Sequence, residues 1–146
     1  MSIEKLRVEI TTDPLSRGYA SMTDEEIAIS LNEENRSILT PIASTELLAW
    51  SAPGRLFKIK SAIENGASDE IKSIAEAAYL LVTRDSTSLD LSLPDRMLFL
   101  DSLVSAGIFS AEDRASLISI ATQPVSRGFE VGIGFVRPGE VSQARI

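Results

Sequence analysis

Residues 69–83, DEIKSIAEAAYLLVT, place Ile71, Ile74, Ala75, Ala78, Leu81 and Val82 three and four positions apart. That spacing is one stripe of an α-helix and cannot line one face of a strand. Ser68 precedes the stripe and supplies an N-cap oxygen. This segment is predicted as the central core helix. Aromatic residues are only 5% of the chain, so the core is expected to be Leu, Ile, Ala and Val. Such a core favours helices packed through aliphatic side chains over an aromatic-rich sandwich.

The other segments are read in the same way. Thr23-Asp-Glu-Glu26 has the form of a capping box, with Thr23 capping and Glu26 reaching back. The helix it opens runs to about Leu31. Ser44 or Thr45 starts a helix through Trp50, and Ala52-Pro-Gly54 breaks it. Residues 55–65 form another, with Leu56, Ile59 and Ile63 on one stripe and Asn65-Gly66 at its end. Pro94 sits in the first turn of a helix that stops at Ala106-Gly107, and Ser110-Ala-Glu-Asp113 caps the next. Residues 5–10, KLRVEI, alternate polar and apolar and are read as a short half-buried strand. A second strand is expected at 133–137, pairing with it, and a last helical turn in GEVSQAR. ENRSILTP is read as a connector. The expected fold is mainly α: a single domain over 1–146, a bundle of about six helices with a small two-stranded ribbon joining the termini. Residues 1–22 and 124–146 are its least regular parts.

Charge and composition exclude several functions. The net charge is −7, against the basic footprint of a nucleic-acid binder and against an anionic membrane surface. The chain has no Cys, hence no disulfide and no thiolate nucleophile. It has no His, which removes the Ser-His-Asp mechanism, His general base catalysis and most zinc sites. MSIEKLRVEI lacks the apolar core of a signal peptide, and the longest apolar run, AAYLLV at 77–82, is too short to span a bilayer. A soluble protein made in a cytoplasm is expected.

Near both ends the chain carries Pro-x-Ser-Arg-Gly-aromatic: PLSRGY at 14–19 and PVSRGF at 124–129. Each resembles a nucleophile elbow with Pro for the first Gly, but an elbow needs a base beside its Ser. No His exists to be that base, and nothing marks Lys58, Lys60 or Lys72 as a buried, activated amine. The favoured reading is a turn used twice, with Ser bonding a nearby N–H, Gly permitting the bend and the aromatic anchoring it. Arg17 and Arg127 then project outward or pair with acids such as Asp13 or Glu130.

Weaker signals resolve toward packing. Gly128, Gly132 and Gly134 lack the order of a phosphate loop and have no P-loop Lys. Asp85, Asp90 and Asp95 could offer oxygen ligands to Ca²⁺ or Mg²⁺, but without EF-hand spacing they read as loop and cap residues. Residues 95–122 form a helix-turn-helix on paper, yet the second helix offers one base, Arg114, and two acids, a poor recognition surface. Trp50 is placed in the core.

Four stretches carry a wider likeness: TDPLSRGYASMTDEEIAISLN, STELLAWSAPGRLFKI, SLDLSLPDRMLFLDSLVSAGIFSAEDRASLISIA and PVSRGFEVGIGFVRPGEVSQAR. They resemble a family of small proteins encoded by tailed bacteriophages. In that family D-P-L-x-R-G-Y-x-x-M-[ST]-D opens the chain and S-R-x-x-E-x-G-x-G-x-V-x-x-G-x-V-x-x-A-R closes it. Where relatives tend to read S-R-A-E-E-L-G, this chain reads Ser126-Arg-Gly-Phe-Glu-Val-Gly132. The resemblance implies a phage protein encoded among virion and tail genes. The expectation is a non-enzymatic structural or adaptor component of the tail or neck. It would bind other virion proteins as repeated copies, without cofactor, metal, nucleic acid, membrane or small-molecule substrate. Its interaction candidates are Arg17, Tyr19, Arg127, Phe129 and Arg137. The alternative is an early phage protein that engages a basic host surface through the acidic stretch 24–34. A carboxylate-based hydrolase ranks last.

Overall fold

The structure, a computed structural model, describes residues 2–84 and 88–146. It is mainly helical with one small two-stranded antiparallel sheet. Among the described residues the order is α1 (Ile3–Thr12), a 3-10 turn (Tyr19–Ser21), α2 (Asp24–Asn32), β1 (Arg36–Leu39), α3 (Ser44–Ser51), α4 (Gly54–Asn65) and α5 (Asp69–Thr83). It continues with α6 (Pro94–Ser105), α7 (Ala111–Ala121), β2 (Thr122–Val125), α8 (Arg127–Glu130) and α9 (Pro138–Ala144). Two compact units share these elements, one of residues 2–38 and 124–146, the other of residues 39–123. No helix among the described residues is long and apolar enough to cross a membrane.

The 39–123 unit follows its sequence signals closely. In α5 the Ser68 hydroxyl accepts the Ile71 N–H, and Ala75, Ala78 and Val82 are buried on the inner stripe. The small side chains at Ala75 and Ala78 let α4 lie close along α5, with Ile59 fully enclosed. Ser110 and Asp113 form the reciprocal capping box that opens α7. Trp50 packs in the core, its ring edge-on to Phe109 at a centroid distance of 5.4 Å, and its indole N–H donates to Ser116 Oγ. On α7, Arg114 pairs with Asp101 of α6 at 2.7 Å, so the one base of the supposed recognition helix is tied to its neighbour.

The terminal unit departs from the sequence expectation in three places. Residues 5–10 are helix, not strand, and 133–137 are not a strand either. KLRVEI satisfies a period of two, but its buried positions are Leu6 and Glu9, flanked by half-buried Ile3 and Ile10, a helical stripe. Val8, the middle of the expected strand face, is 59% exposed. Ser2 caps the start of α1 through its hydroxyl, and Asp13 ends it in a left-handed conformation, φ 41°. The ribbon is made instead by β1 and β2, from the segment read as a connector and from the stretch around Pro124. Thr23 does cap α2, accepting the Glu26 N–H at 3.2 Å, but the return bond from the Glu26 side chain is not formed. Leu6, Tyr19, Ile27, Leu31, Val136 and Val141 build this unit's own core.

Candidate interaction site

The two Pro-x-Ser-Arg-Gly-aromatic segments both lie in the terminal unit, and they are built differently. After α1, Asp13 turns its carboxylate back onto the chain and accepts the N–H groups of Arg17 and Gly18, each at 2.8 Å. Burial pushes this carboxyl up, and the N–H groups of Arg17, Gly18 and Tyr19 outweigh it, so it titrates below its ordinary range. Ser16 and Gly18 adopt φ of 52° and 83° to close the loop. The Arg17 guanidinium then donates to Ser30 O at 2.7 Å, Ser30 Oγ at 3.1 Å and Asn35 Oδ1 at 2.9 Å. It caps a carbonyl in the last turn of α2 and fixes the loop to that helix. Tyr19 is wholly buried, and its hydroxyl makes no hydrogen bond of ordinary geometry among the described residues, although the Arg17 guanidinium acts on it and partly offsets its burial. Burial, and next the negative charge of Glu9, push the phenol above its ordinary range.

In PVSRGF the Ser is a helix cap. Ser126 Oγ accepts the Phe129 N–H, and Arg127 takes the first position of α8. Its guanidinium meets Glu9 in a two-pronged pair, Nε to Oε1 at 2.5 Å and Nη2 to Oε2 at 3.0 Å. A third bond runs from Nη1 to Glu130 Oε1 at 2.5 Å, and Glu130 in turn accepts from Arg36 Nε at 2.9 Å. The four side chains form one run of alternating charge, Glu9–Arg127–Glu130–Arg36, drawn from α1, α8 and β1. The side chains of Glu9 and Arg127 are only 4% and 11% exposed. The bond to Glu9 is the main influence holding the Arg127 proton, and the bond from Arg36 is the main one lowering Glu130.

Gly128 is required by contact. A Cβ there would lie 2.4 Å from Gly134 O and 3.2 Å from Leu31 O. Gly128 O also accepts the N–H groups of Ile133 and Gly134, at 2.8 and 2.9 Å. Phe129, next in the chain, is 60% exposed. Arg137 precedes α9, and its side chain is exposed.

Of the five interaction candidates, Phe129 and Arg137 are therefore at the surface, Arg17 and Arg127 are engaged internally, and Tyr19 has no surface to offer. The shared six-residue pattern is not one turn used twice. Its Arg stands before a left-handed Gly in the first copy and inside a helix in the second, and its aromatic is buried in one and exposed in the other. Three participants escaped the sequence reading: Glu9, Arg36 and Phe135, the last 71% exposed. A helical reading of 3–12 exposes Glu9 on the Leu6 stripe, and the doubled Gly-Phe at 128–129 and 134–135 marks Phe135.

An open cleft of about 420 Å³ lies between α1 and α8, lined by Lys5, Val8, Glu9, Pro14, Arg127 and Val131 among others. Its deepest charges neutralise one another, which suits a fixed wall more than an acid–base pair. A carboxyl acting as general acid needs its pKa raised. Among the described residues, Asp13, Glu130 and Asp113 are carboxyls held below their ordinary range.

Asp113 belongs to a second charged cluster, in the 39–123 unit. It accepts from Ser110 N–H at 2.9 Å, Arg55 at 2.8 Å and Lys58 at 3.0 Å. Burial pushes its carboxyl up. The Ser110 N–H first, then Lys58 and Arg55, bring it down to about 2. Arg55 also lies 4.3 Å over the Trp50 ring and donates to Trp50 O. The cluster fastens the start of α4 to α7. Asp90 is engaged by Ser92, Asp95 pairs with Arg96, and Asp85 lies outside the described residues. No group of three or more acidic side chains placed to hold a metal occurs among the described residues. Comparison with protein families, curated proteins and solved structures finds no match.

Proposed function

We propose that this chain is a non-enzymatic structural or adaptor protein of a tailed bacteriophage. It acts as a component of the tail or neck and binds other virion proteins in repeated copies. The reading starts from the resemblance of its opening and closing motifs. The observation that carries it is the outward display of Phe129, Phe135 and Arg137, which occupy positions that the closing motif leaves open along its span. Aromatic and Arg side chains are the residue types that dominate protein–protein contacts. The unit's buried charges are matched internally, which leaves these residues, and not a catalytic group, as its outward chemistry.

Mass spectrometry of purified virions of the source phage, with copy number per particle, tests the proposal. A copy number matching a cyclic symmetry of the tail or neck is expected. Absence from particles while abundant in infected cells refutes it, and would favour the host-binding alternative through the acidic start of α2.

A further inference from the structure

Two surfaces of the terminal unit are complementary in shape class and charge. The first is the pair of Gly-Phe dipeptides. Gly128 and Gly134 touch through their backbones, and Phe129 and Phe135, each the next residue, are 60% and 71% exposed. Lys5 Nζ lies over the turn between them, where a Cβ on Gly132 would come within 3.2 Å of it. Arg137 lies two residues beyond Phe135. Among the described residues neither Lys5 nor Arg137 makes an ion pair. Two aromatics and two uncompensated cations thus reach solvent here, together termed the aromatic patch.

The second surface is the outer face of α2. Ile27, Ala28 and Leu31 face inward, where α2 packs on α8 and α9. At 100° per residue, Glu25, Glu26 and Ile29 fall on the opposite side. Ile29 is 66% exposed, and Glu25 and Glu26 are exposed without ion pairs among the described residues. This is an aliphatic knob between two uncompensated acids. Because the inner face of α2 is the one turned toward α8 and α9, its outer face is left uncovered by the elements around the aromatic patch.

We infer that the occupant of the aromatic patch is a second copy of this chain. Ile29 of one copy seats on Phe129 and Phe135 of the next, with Glu25 and Glu26 facing Lys5 and Arg137. The contact joins two different surfaces, so it is heterologous. Repeated, it closes into a ring or extends as a filament. Ile29 and two Phe cover less than the roughly 1,200 Å² that a stable isolated pair buries. The contact is accordingly weak between two free copies and gains from closure, when each copy is held at both surfaces. The inference rests on the repeated-copy reading above and names one of its partners.

The test is sedimentation of the full chain up to millimolar concentration, at low and high salt. Association that weakens with salt is expected. Lys5→Glu with Arg137→Glu, and separately Glu25→Lys with Glu26→Lys, should each weaken association at least tenfold while circular dichroism stays unchanged. Mixing the two reversed variants matches the acidic patch of one with the basic α2 of the other, and the unaltered patch with the unaltered α2, so alternating copies should regain association to near the wild-type level. A wild-type chain that remains monomeric at millimolar concentration overturns the inference. So does association unaffected by Phe135→Ser or by either reversal. A monomeric chain that is present in virions removes this contact and leaves the virion role standing. An associating chain absent from virions does the opposite.

Discussion

Replacing Arg127 with Met removes a guanidinium of which 11% is exposed and leaves Glu9, 4% exposed, with no cation opposite it. Two short bonds to Glu9 and one to Glu130 disappear together. Glu130 keeps Arg36, so the injury falls on Glu9. Breaking a buried pair from one side costs about 3–5 kcal/mol, because the remaining charge stays desolvated. In a chain of this length that lowers the melting temperature by roughly 10–16 °C. The readout should be local: hydrogen exchange at the α1 and α8 amides reports on the unit that holds the pair. Removing both charges, Glu9→Gln with Arg127→Met, leaves no buried ion and should recover most of the loss. A cost below about 1 kcal/mol for Arg127→Met would refute the reasoning, since truncation of a pair this buried cannot be that mild. A double variant no better than the single would refute it as well, by showing that shape and not charge was lost.

Three further outcomes follow from other contacts. Asp113 is lowered from 3.8 to about 2, so its contribution is complete above pH 4 or so and fades as the pH falls through about 2. Asp113→Asn should flatten that acid-side slope and cost about 2 kcal/mol at neutral pH, read by Trp50 fluorescence in the same unit. An acid titration of stability identical in the variant would count against the assignment. Gly128→Ala drives a methyl to 2.4 Å from Gly134 O and should cost about 1–3 kcal/mol, with lost exchange protection in α8. Gly139→Ala, with open space around it, should be neutral or slightly stabilising in the same assay. Tyr19→Phe removes a buried hydroxyl that makes no hydrogen bond of ordinary geometry and should leave stability unchanged or raise it. A loss above about 1 kcal/mol would mean that this oxygen is bonded in solution.

The parts of the fold that could be read from sequence were those whose signals are local. In α5 the cap, the stripe and the stop agree within one segment, and the helix bounds of 69–83 match the expected ones. The same is true of α6 with its N-terminal Pro94 and of α7 with its box. In α1 the signal is not local. KLRVEI fits either period, and what decides for the helix is the burial of Glu9, whose partner is 118 residues away. A carboxylate on an apolar stripe looks like an error until its cation is known. β1 and β2 are four residues each; β1, RSIL, does not alternate, and β2, TQPV, carries Pro124, so neither shows a strand pattern alone, and they exist because they pair. At the candidate site the sequence pointed to the segment 124–137 without separating its inner residues from its outer ones. The choice between Tyr19 buried and Phe129 exposed depends on where a Gly falls in a turn, and Pro-x-Ser-Arg-Gly-aromatic leaves that open.

That separation decides how binding data on this protein must be read. Arg17 and Arg127 are the most conspicuous residues of the two motifs, and substituting either one attacks the terminal unit's own structure. A partner lost on Arg127→Met therefore reports unfolding around Glu9, not a missing contact. Phe129, Phe135, Arg137 and Ile29 carry little of the fold, because most of each side chain is already in solvent. Surface changes of this kind usually leave stability within about 0.5 kcal/mol. If assembly fails with Phe135→Ser while exchange protection in α1 and α8 is intact, the aromatic patch is a docking surface. If assembly fails only with the variants that also lose that protection, the patch is inert, and the motifs matter solely because they close the unit.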